Sequence, residues 1–303
     1  MTHVATLISN PAARALDAAA VALARAALPA AGAPVWLDPG IAADIPFTPA
    51  GQQQQRELAD GVRAALGSRA LDVVVQPMAR RRKRLFLADM DSTMIGQECI
   101  DELADFAGLK AHVAAITERA MLGEIAFEPA LRERVALLKG LPASVVDEVI
   151  ANRITLMPGG KALIATMRAN GAYTCLVSGG FTLFTQRIAK MIGFDEHRGN
   201  ALVLADGRFA GTVSEPILGK DAKVAALTEL RNRFGLQHED TMAIGDGAND
   251  IPMIDAAGLG VAYHGKPAVA QAAAARIDHG DLTALLYTQG YARAEFAKNS
   301  KTE

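Results

Sequence analysis

Four acidic side chains stand where two short motifs could bring them together. Asp89 and Asp91 fall in DMDST, and Asp246 and Asp250 fall in GDGAND. On an extended segment residues two apart face the same side, so the first pair can converge on one point. Clustered carboxylates repel, and their coexistence needs a cation, a shared proton or solvent. Four acidic groups at two strand exits suggest a hard cation held by oxygen, and Mg²⁺ fits best. A DxD by itself reads equally well as a solvated turn. VSGG at 177–180 adds the Ser178 hydroxyl, while Gly179 and Gly180 let backbone N–H groups approach an anion at a helix start. Alone it too could be an ordinary tight turn. Lys220 and Lys223 compete to supply an ammonium at the start of a later helix. A hydroxyl, an ammonium, amide donors and a metal are together the equipment that neutralises a transferring phosphoryl group.

The rest of the sequence must position these groups. The 303 residues carry 31 basic and 33 acidic side chains, a net charge of -2, and 50% are hydrophobic. Such a composition excludes a disordered or collagen-like chain and supplies ample apolar mass for a core. The near-neutral balance leaves no global field to attract nucleic acid or an anionic membrane. No run of about 18 apolar residues suggests a membrane span. Only Cys99 and Cys175 occur, with no CxxC pair, which suits a reducing compartment. The first twenty residues lack a basic stretch followed by a long apolar core, so cytoplasmic residence is expected.

Residues 3–9 read as a strand, and Pro11 to about Leu28 as an Ala-rich helix with Asn10 as its N-cap. A short strand at Pro34–Leu37, the extended IAADIPFTP, the helix QQQQRELADGVRAAL and the strand LDVVVQP complete a βαββαβ order over residues 1–77. That size suits a small α+β domain able to fold nearly alone. The run ARRRKR at 79–84 lacks interleaved aromatic residues, so an exposed basic linker over 78–84 is favoured over a nucleic-acid patch. LFLADMD then reads as a buried parallel strand whose C-terminal end opens into a site. Helical periodicity follows in three segments, near Ile100–Arg119, Glu128–Lys139 and Ala143–Arg153. Strands at AYTCLVS, TMAIGD and GVAYH alternate with helices, and ALVLADGRFAGTV reads as a hairpin turning on Asp206 and Gly207. The expected fold class is α/β, a doubly wound parallel sheet over 85–303 with a helical cap at about 97–156 inserted after its first strand. His264 and His279 have no partner at ligand spacing and read as structural, and Cys175 as a small buried residue.

DMDST, VSGG, a lysine and GDGAND, in that order, resemble the four motifs of the haloacid dehalogenase superfamily of aspartyl-phosphate phosphotransferases. The resemblance spans Leu85 to the C-terminus. Within that superfamily the chain is most similar to the phosphoserine phosphatase family, because the inserted block reads MLGEIAFEPALRERVALLKGLP and the end HGDLTALLYTQGY. The resemblance implies Asp89 as nucleophile and Asp91 as general acid and base. It implies a Mg²⁺ held by the Asp89 carboxylate, the Asp91 carbonyl, Asp246 and, more distantly, Asp250. Ser178, Gly179, Gly180, Asn249 and Lys223 would hold the phosphate. Counting back from GDGAND in the family pattern selects Lys223 over Lys220. The N-terminal βαββαβ unit resembles the ACT type of amino-acid-binding regulatory domain, which raises homodimerisation through that unit as an expectation.

A phosphate cluster does not choose the rest of the substrate. Phosphoserine adds an α-carboxylate and an α-ammonium, which Arg134 and Glu98 could engage through a bidentate fork and an acceptor. Phe127 and Arg134 are two helical turns apart and share a face. The competing reading places Arg134 in a surface charge pattern with Arg132 and Glu133, and Phe127 and Met121 in the core of the insert. The resemblance favours substrate contact for all of them and a lid role for the insert. Another small phosphomonoester as substrate, or an amino-acid-sensing protein, are the alternatives.

Overall fold

The computed structural model describes residues 1–51, 53–121 and 124–297. The chain opens with β1 (His3–Ser9), α1 (Ala18–Ala26), β2 (Val35–Asp38), β3 (Ala42–Phe47), α2 (Gln55–Leu66) and β4 (Leu71–Pro77). These strands form an antiparallel sheet in the order β2-β3-β1-β4. α1 begins later than its composition suggests. Asp17 caps it by accepting from the Ala20 N–H at 2.7 Å, whereas Asn10 accepts from the Ala12 N–H at 2.8 Å and closes a turn of its own. One face of the sheet (Ala5, Leu7, Ile45, Phe47, Val73, Val75) packs on Leu16, Val21, Leu58, Val62 and Leu66.

The opposite face is buried as well, and it is partly polar. Thr6 donates to Asp44 at 2.7 Å, and Arg81 forks onto the same carboxylate at 2.7 and 3.0 Å. Arg81 also donates to the Thr288 carbonyl, as does the buried Gln76 amide at 2.6 Å. Asp72 accepts from three consecutive amides, Asp278 at 2.8 Å, His279 at 3.1 Å and Gly280 at 2.7 Å. ARRRKR is therefore not a uniformly solvated linker. Lys83 is buried against the Glu239 carbonyl at 2.7 Å, Arg80 pairs with Asp240 and Arg82 with Glu295. Removing one partner of a buried pair such as Arg81–Asp44 costs about 3–5 kcal/mol, because the other charge is stranded.

After the basic run come β5 (Leu85–Ala88), α3 (Cys99–Phe106), α4 (Lys110–Met121), α5 (Phe127–Leu137), α6 (Val145–Asn152) and α7 (Gly160–Ala169). The first helical segment is thus two helices. Gly108 takes φ +71° and the Leu109 N–H returns to the Ala104 carbonyl, which ends α3. Next are β6 (Tyr173–Phe181), α8 (Thr182–Ile192), β7 (Glu196–Asn200), β8 (Leu202–Ala205), β9 (Arg208–Val213), α9 (Lys220–Arg233) and β10 (Thr241–Gly245). The chain closes with α10 (Ile251–Asp255), β11 (Leu259–Tyr263), α11 (Pro267–Ala272), β12 (Ala275–Ile277) and α12 (Ala284–Thr288). The α/β fold has a six-stranded parallel sheet in the order β12-β11-β10-β5-β6-β7, and β8 and β9 make the expected hairpin on Asp206 and Gly207, both at positive φ.

Two compact units are distinguished. One comprises Met1–Leu87, Met157–Thr174 and Leu227–Glu303, and the other Ala88–Leu156 and Cys175–Ala226. No helix among the described residues is long and apolar enough to cross a membrane.

Candidate active site

Where β5 ends, the chain turns tightly. The Met94 and Ile95 N–H groups both donate to the Met90 carbonyl, and Ser92 takes φ +54°. This turn presents Asp89 and Asp91 on consecutive alternate positions. Asp89 is buried, and its Oδ1 accepts from the Met90 N–H at 2.8 Å. The Lys223 ammonium, on the first turn of α9 and 1% exposed, lies 2.8 Å from the same oxygen. Lys220, three residues earlier, is exposed.

Asp91 accepts from the Cys99 N–H at 3.1 Å at the start of α3. Burial, then the negative charges of Glu98 and Asp89, push its carboxyl up to about 8, against the opposing pull of the Cys99 donors. A carboxyl so placed carries a proton at neutral pH. Glu98 is exposed and accepts from the Ser92 hydroxyl at 2.8 Å.

β6 ends in the glycine pair. The buried Ser178 Oγ accepts from the Gly180 N–H at 2.8 Å. A methyl group on Gly180 would stand 3.0 Å from both Asp91 Oδ2 and Ser178 Oγ, so this backbone and the Asp91 carboxyl are in near contact. A methyl on Gly179 would meet the Phe127 ring at 3.3 Å. The structure therefore brings Asp89, Asp91, Ser178, Gly179, Gly180, Lys223 and Phe127 into a chain of close neighbours.

Asn200, at the end of β7, had no signal in the sequence. Its side-chain amide donates to the Gly179 carbonyl at 2.7 Å and the Leu218 carbonyl at 3.1 Å, and its Oδ1 accepts from the Leu218 N–H at 2.7 Å. It ties the glycine turn to the approach to α9. Only an amide side chain could have hinted at this, and a single Asn in EHRGN is not distinctive.

Arg134 leaves the surface charge pattern of its neighbours. Arg132 pairs with Glu215 and Glu133 with Arg119, whereas Arg134 is half-buried and donates to the Ala130 carbonyl at 3.2 Å. Burial lowers its pKa, while Asp101 and Glu98 act in the opposite direction and favour the charge. The Met121 side chain lies outside the described residues.

In the second motif Asp246 and Asp250 are buried. Asp250 Oδ2 accepts from the Gly247 N–H at 3.1 Å, and a methyl on Gly245 would collide with the Asp250 carboxylate, so glycine is required there. Lys266 donates its N–H to the Asp246 carbonyl at 2.9 Å and holds its ammonium 3.3 Å from Asp246 Oδ2. Asn249 is exposed between the two carboxylates.

Carboxylate oxygens of Asp89, Asp246 and Asp250 all lie within 4.8 Å of one another. Three buried, hard anionic donors at this spacing fit a metal ion, because without one they would repel across a low-dielectric space.

Known proteins resemble the chain over the same regions. The haloacid dehalogenase-like hydrolase family matches residues 86–255. A phosphoserine phosphatase of Mycobacterium tuberculosis is 43% identical over 227 residues, 74% of this chain, which spans 55% of that protein's length. A crystal structure of a haloacid dehalogenase family hydrolase from Salmonella enterica serovar Typhi matches with a TM-score of 0.84 at 28% identity, over 95% of this chain and 98% of that one. The structure of a phospho-aspartyl intermediate analogue of phosphoserine phosphatase matches with a TM-score of 0.63 at 40% identity, over 68% of this chain and 98% of that one. With its motifs and its buried acidic group all within residues 86–255, the chain belongs to the haloacid dehalogenase-like hydrolase family, on the branch its phosphoserine phosphatase relatives occupy.

Proposed function

We propose that this chain hydrolyses O-phospho-L-serine to L-serine and inorganic phosphate, the last step of serine biosynthesis, as a Mg²⁺-dependent phosphoric monoester hydrolase. The observation that carries this reading is the buried Asp89, held 2.8 Å from Lys223 and grouped with Asp246 and Asp250. Asp89 attacks phosphorus and the ester P–O bond breaks, leaving the phosphoryl group on the Asp89 carboxylate. Asp91, protonated beforehand, gives its proton to the departing serine oxygen. It then takes a proton from the water that attacks the aspartyl phosphate, which releases phosphate and restores Asp89. Lys223, the Ser178 hydroxyl, the Gly179 and Gly180 amides and Asn249 bind the phosphoryl oxygens. Mg²⁺, held by Asp89, the Asp91 carbonyl, Asp246 and Asp250, would supply positive charge against the phosphoryl oxygens.

Arg134 and Glu98 engage the α-carboxylate and α-ammonium, and Phe127 closes over the site from the cap at 97–156. In this reading residues 1–77 form an ACT-like α+β domain, 78–84 its connection and 85–303 the catalytic part. A homodimer through the N-terminal sheet belongs to the same reading, since edge strand β2 leaves Val35 and Trp36 exposed. Residence in the reducing cytoplasm suits the two buried cysteines, which are not joined in a disulfide.

The direct test is phosphate release from a panel of small phosphomonoesters, with Mg²⁺ and with a chelator. Phosphoserine should lead the panel and chelation should abolish turnover. Equal rates on p-nitrophenyl phosphate would remove the substrate assignment. Arg134→Ala should raise KM for phosphoserine by about 10- to 100-fold, the value of a charge-assisted bond, and affect kcat less. An unchanged KM would leave Arg134 a purely structural residue of α5.

The position of Asp91 also fixes the sign of a pH effect. Only the protonated carboxyl can assist departure of the alkoxide, so kcat/KM should hold at lower pH and fall as pH rises through the Asp91 pKa. Without metal that pKa is about 8, and a bound cation moves it downward. A kcat/KM that instead rises on the alkaline side would exclude Asp91 as the acid.

A further inference from the structure

We infer that Asp72, in the N-terminal sheet, is a positioning residue for the Asp246 carboxylate. The inference rests on the metal-dependent reading above. Asp72 is 2% exposed and sits near the start of β4, in a sequence position with no part in the reaction. Its carboxylate closes on the amides of Asp278, His279 and Gly280, three successive N–H groups directly after β12. That grip anchors the 278–280 segment, whose last residue, Gly280, also presents its carbonyl. The carbonyl in turn accepts from the His264 Nε2–H at 2.9 Å.

His264 is the residue on which the chain turns after β11, and it takes the left-handed φ of +45°, a conformation that costs a non-glycine residue energy and needs support. Its own N–H donates to the Ile277 carbonyl at 2.8 Å, so the last residue of β12 and the segment after it hold it from both sides. Two residues later Lys266 contacts Asp246 twice, through its amide to the Asp246 carbonyl at 2.9 Å and through its ammonium to Oδ2 at 3.3 Å. Asp72, the 278–280 amides, Gly280, His264, Lys266 and Asp246 thus form one unbroken series of contacts. Every link is a hydrogen bond, an ion pair or a covalent step of at most two residues.

A metal ligand works only when its oxygen is already aimed, and groups behind the ligand shell set that aim. The backbone and side chain of Asp246 are both addressed by Lys266, whose path is set at His264. Loss of the Asp72 carboxylate releases the 278–280 amides and lets the His264 turn relax. The expected loss is in metal affinity, with serine recognition intact, because Glu98 and Arg134 belong to other elements.

The experiment is titration of the full-length chain with Mn²⁺, followed by electron paramagnetic resonance of the free ion, for wild type, Asp72→Asn, His264→Leu and the double variant. Both single variants should bind Mn²⁺ about three- to tenfold more weakly, less than the 10- to 100-fold typical of groups directly behind metal ligands because both act through Lys266. KM for phosphoserine at saturating metal should stay at the wild-type value, and the double variant should bind no more weakly than the weaker single one. Wild-type Mn²⁺ affinity in Asp72→Asn, even with a lowered Tm, overturns the inference, as does a strictly additive double variant. Should Asp72→Asn not fold, unchanged Mn²⁺ affinity in His264→Leu overturns it alone. A wild-type chain that binds no Mn²⁺ instead removes the metal reading on which the inference depends.

Discussion

Asp89→Asn should reduce turnover of phosphoserine on the order of 10⁴-fold or more, the scale seen when a nucleophile is deleted. Asparagine keeps the shape of the side chain and still offers an oxygen to the Met90 N–H at the position Oδ1 now occupies. It lacks the anionic oxygen that attacks phosphorus, and no neighbouring carboxylate can replace it. Asp91 carries a proton at neutral pH, and Asp246 and Asp250 sit in the other acidic motif. The substitution also leaves the Lys223 ammonium, 1% exposed, facing a neutral amide in place of a carboxylate. Binding of phosphate should survive while chemistry stops. The check is an initial-rate assay together with acid-quenched labelling from ³²P-phosphoserine, which should mark the wild type and not the variant. A variant that retained a hundredth of wild-type turnover would place the nucleophile elsewhere.

Lys223→Met should lower kcat/KM by about 10²- to 10³-fold, the usual consequence of removing one preorganised group from developing charge. Methionine fills a similar volume, so the effect isolates the charge. With the ammonium gone, Asp89 loses its 2.8 Å partner and the carboxylates of Asp89, Asp246 and Asp250 repel one another with less opposition. Two measurements separate these effects. Inhibition by inorganic phosphate should weaken, and Mg²⁺ should raise Tm by more in the variant than in the wild type, because the ion then relieves more repulsion. A kcat/KM within threefold of wild type would return the ammonium role to Lys220.

The chemistry of the site was legible because its parts are short and contiguous. DMDST, VSGG and GDGAND each place their groups through local backbone geometry, so strand periodicity and turn chemistry suffice to find them. Asn200 was invisible for the opposite reason: it joins Gly179 and Leu218, segments 21 and 18 residues away, and its strand EHRGN has no hydrophobic alternation. β7 is an edge strand, where polar residues are tolerated. β12 has three residues, too few for periodicity. The basic run reads as solvated because charge alone does not show whether a partner waits in the fold, and only part of it is exposed. Arg81 finds one in Asp44, 37 positions upstream, and Lys83 finds one in the Glu239 carbonyl, 156 positions downstream.

The polar second face of the N-terminal sheet bears on how this chain can change over evolutionary time. Gln76 and Arg81 donate to the carbonyls of Tyr287 and Thr288, and Arg81 reaches Thr6 and Asp44 as well, so residues more than 200 positions apart are constrained together. A recombination event that exchanged the first eighty residues for a foreign βαββαβ unit would strand these groups unless the donor brought matching ones in register. Inheritance of the two segments as a pair follows, and interchangeable modules would have needed an apolar or a fully hydrated face instead.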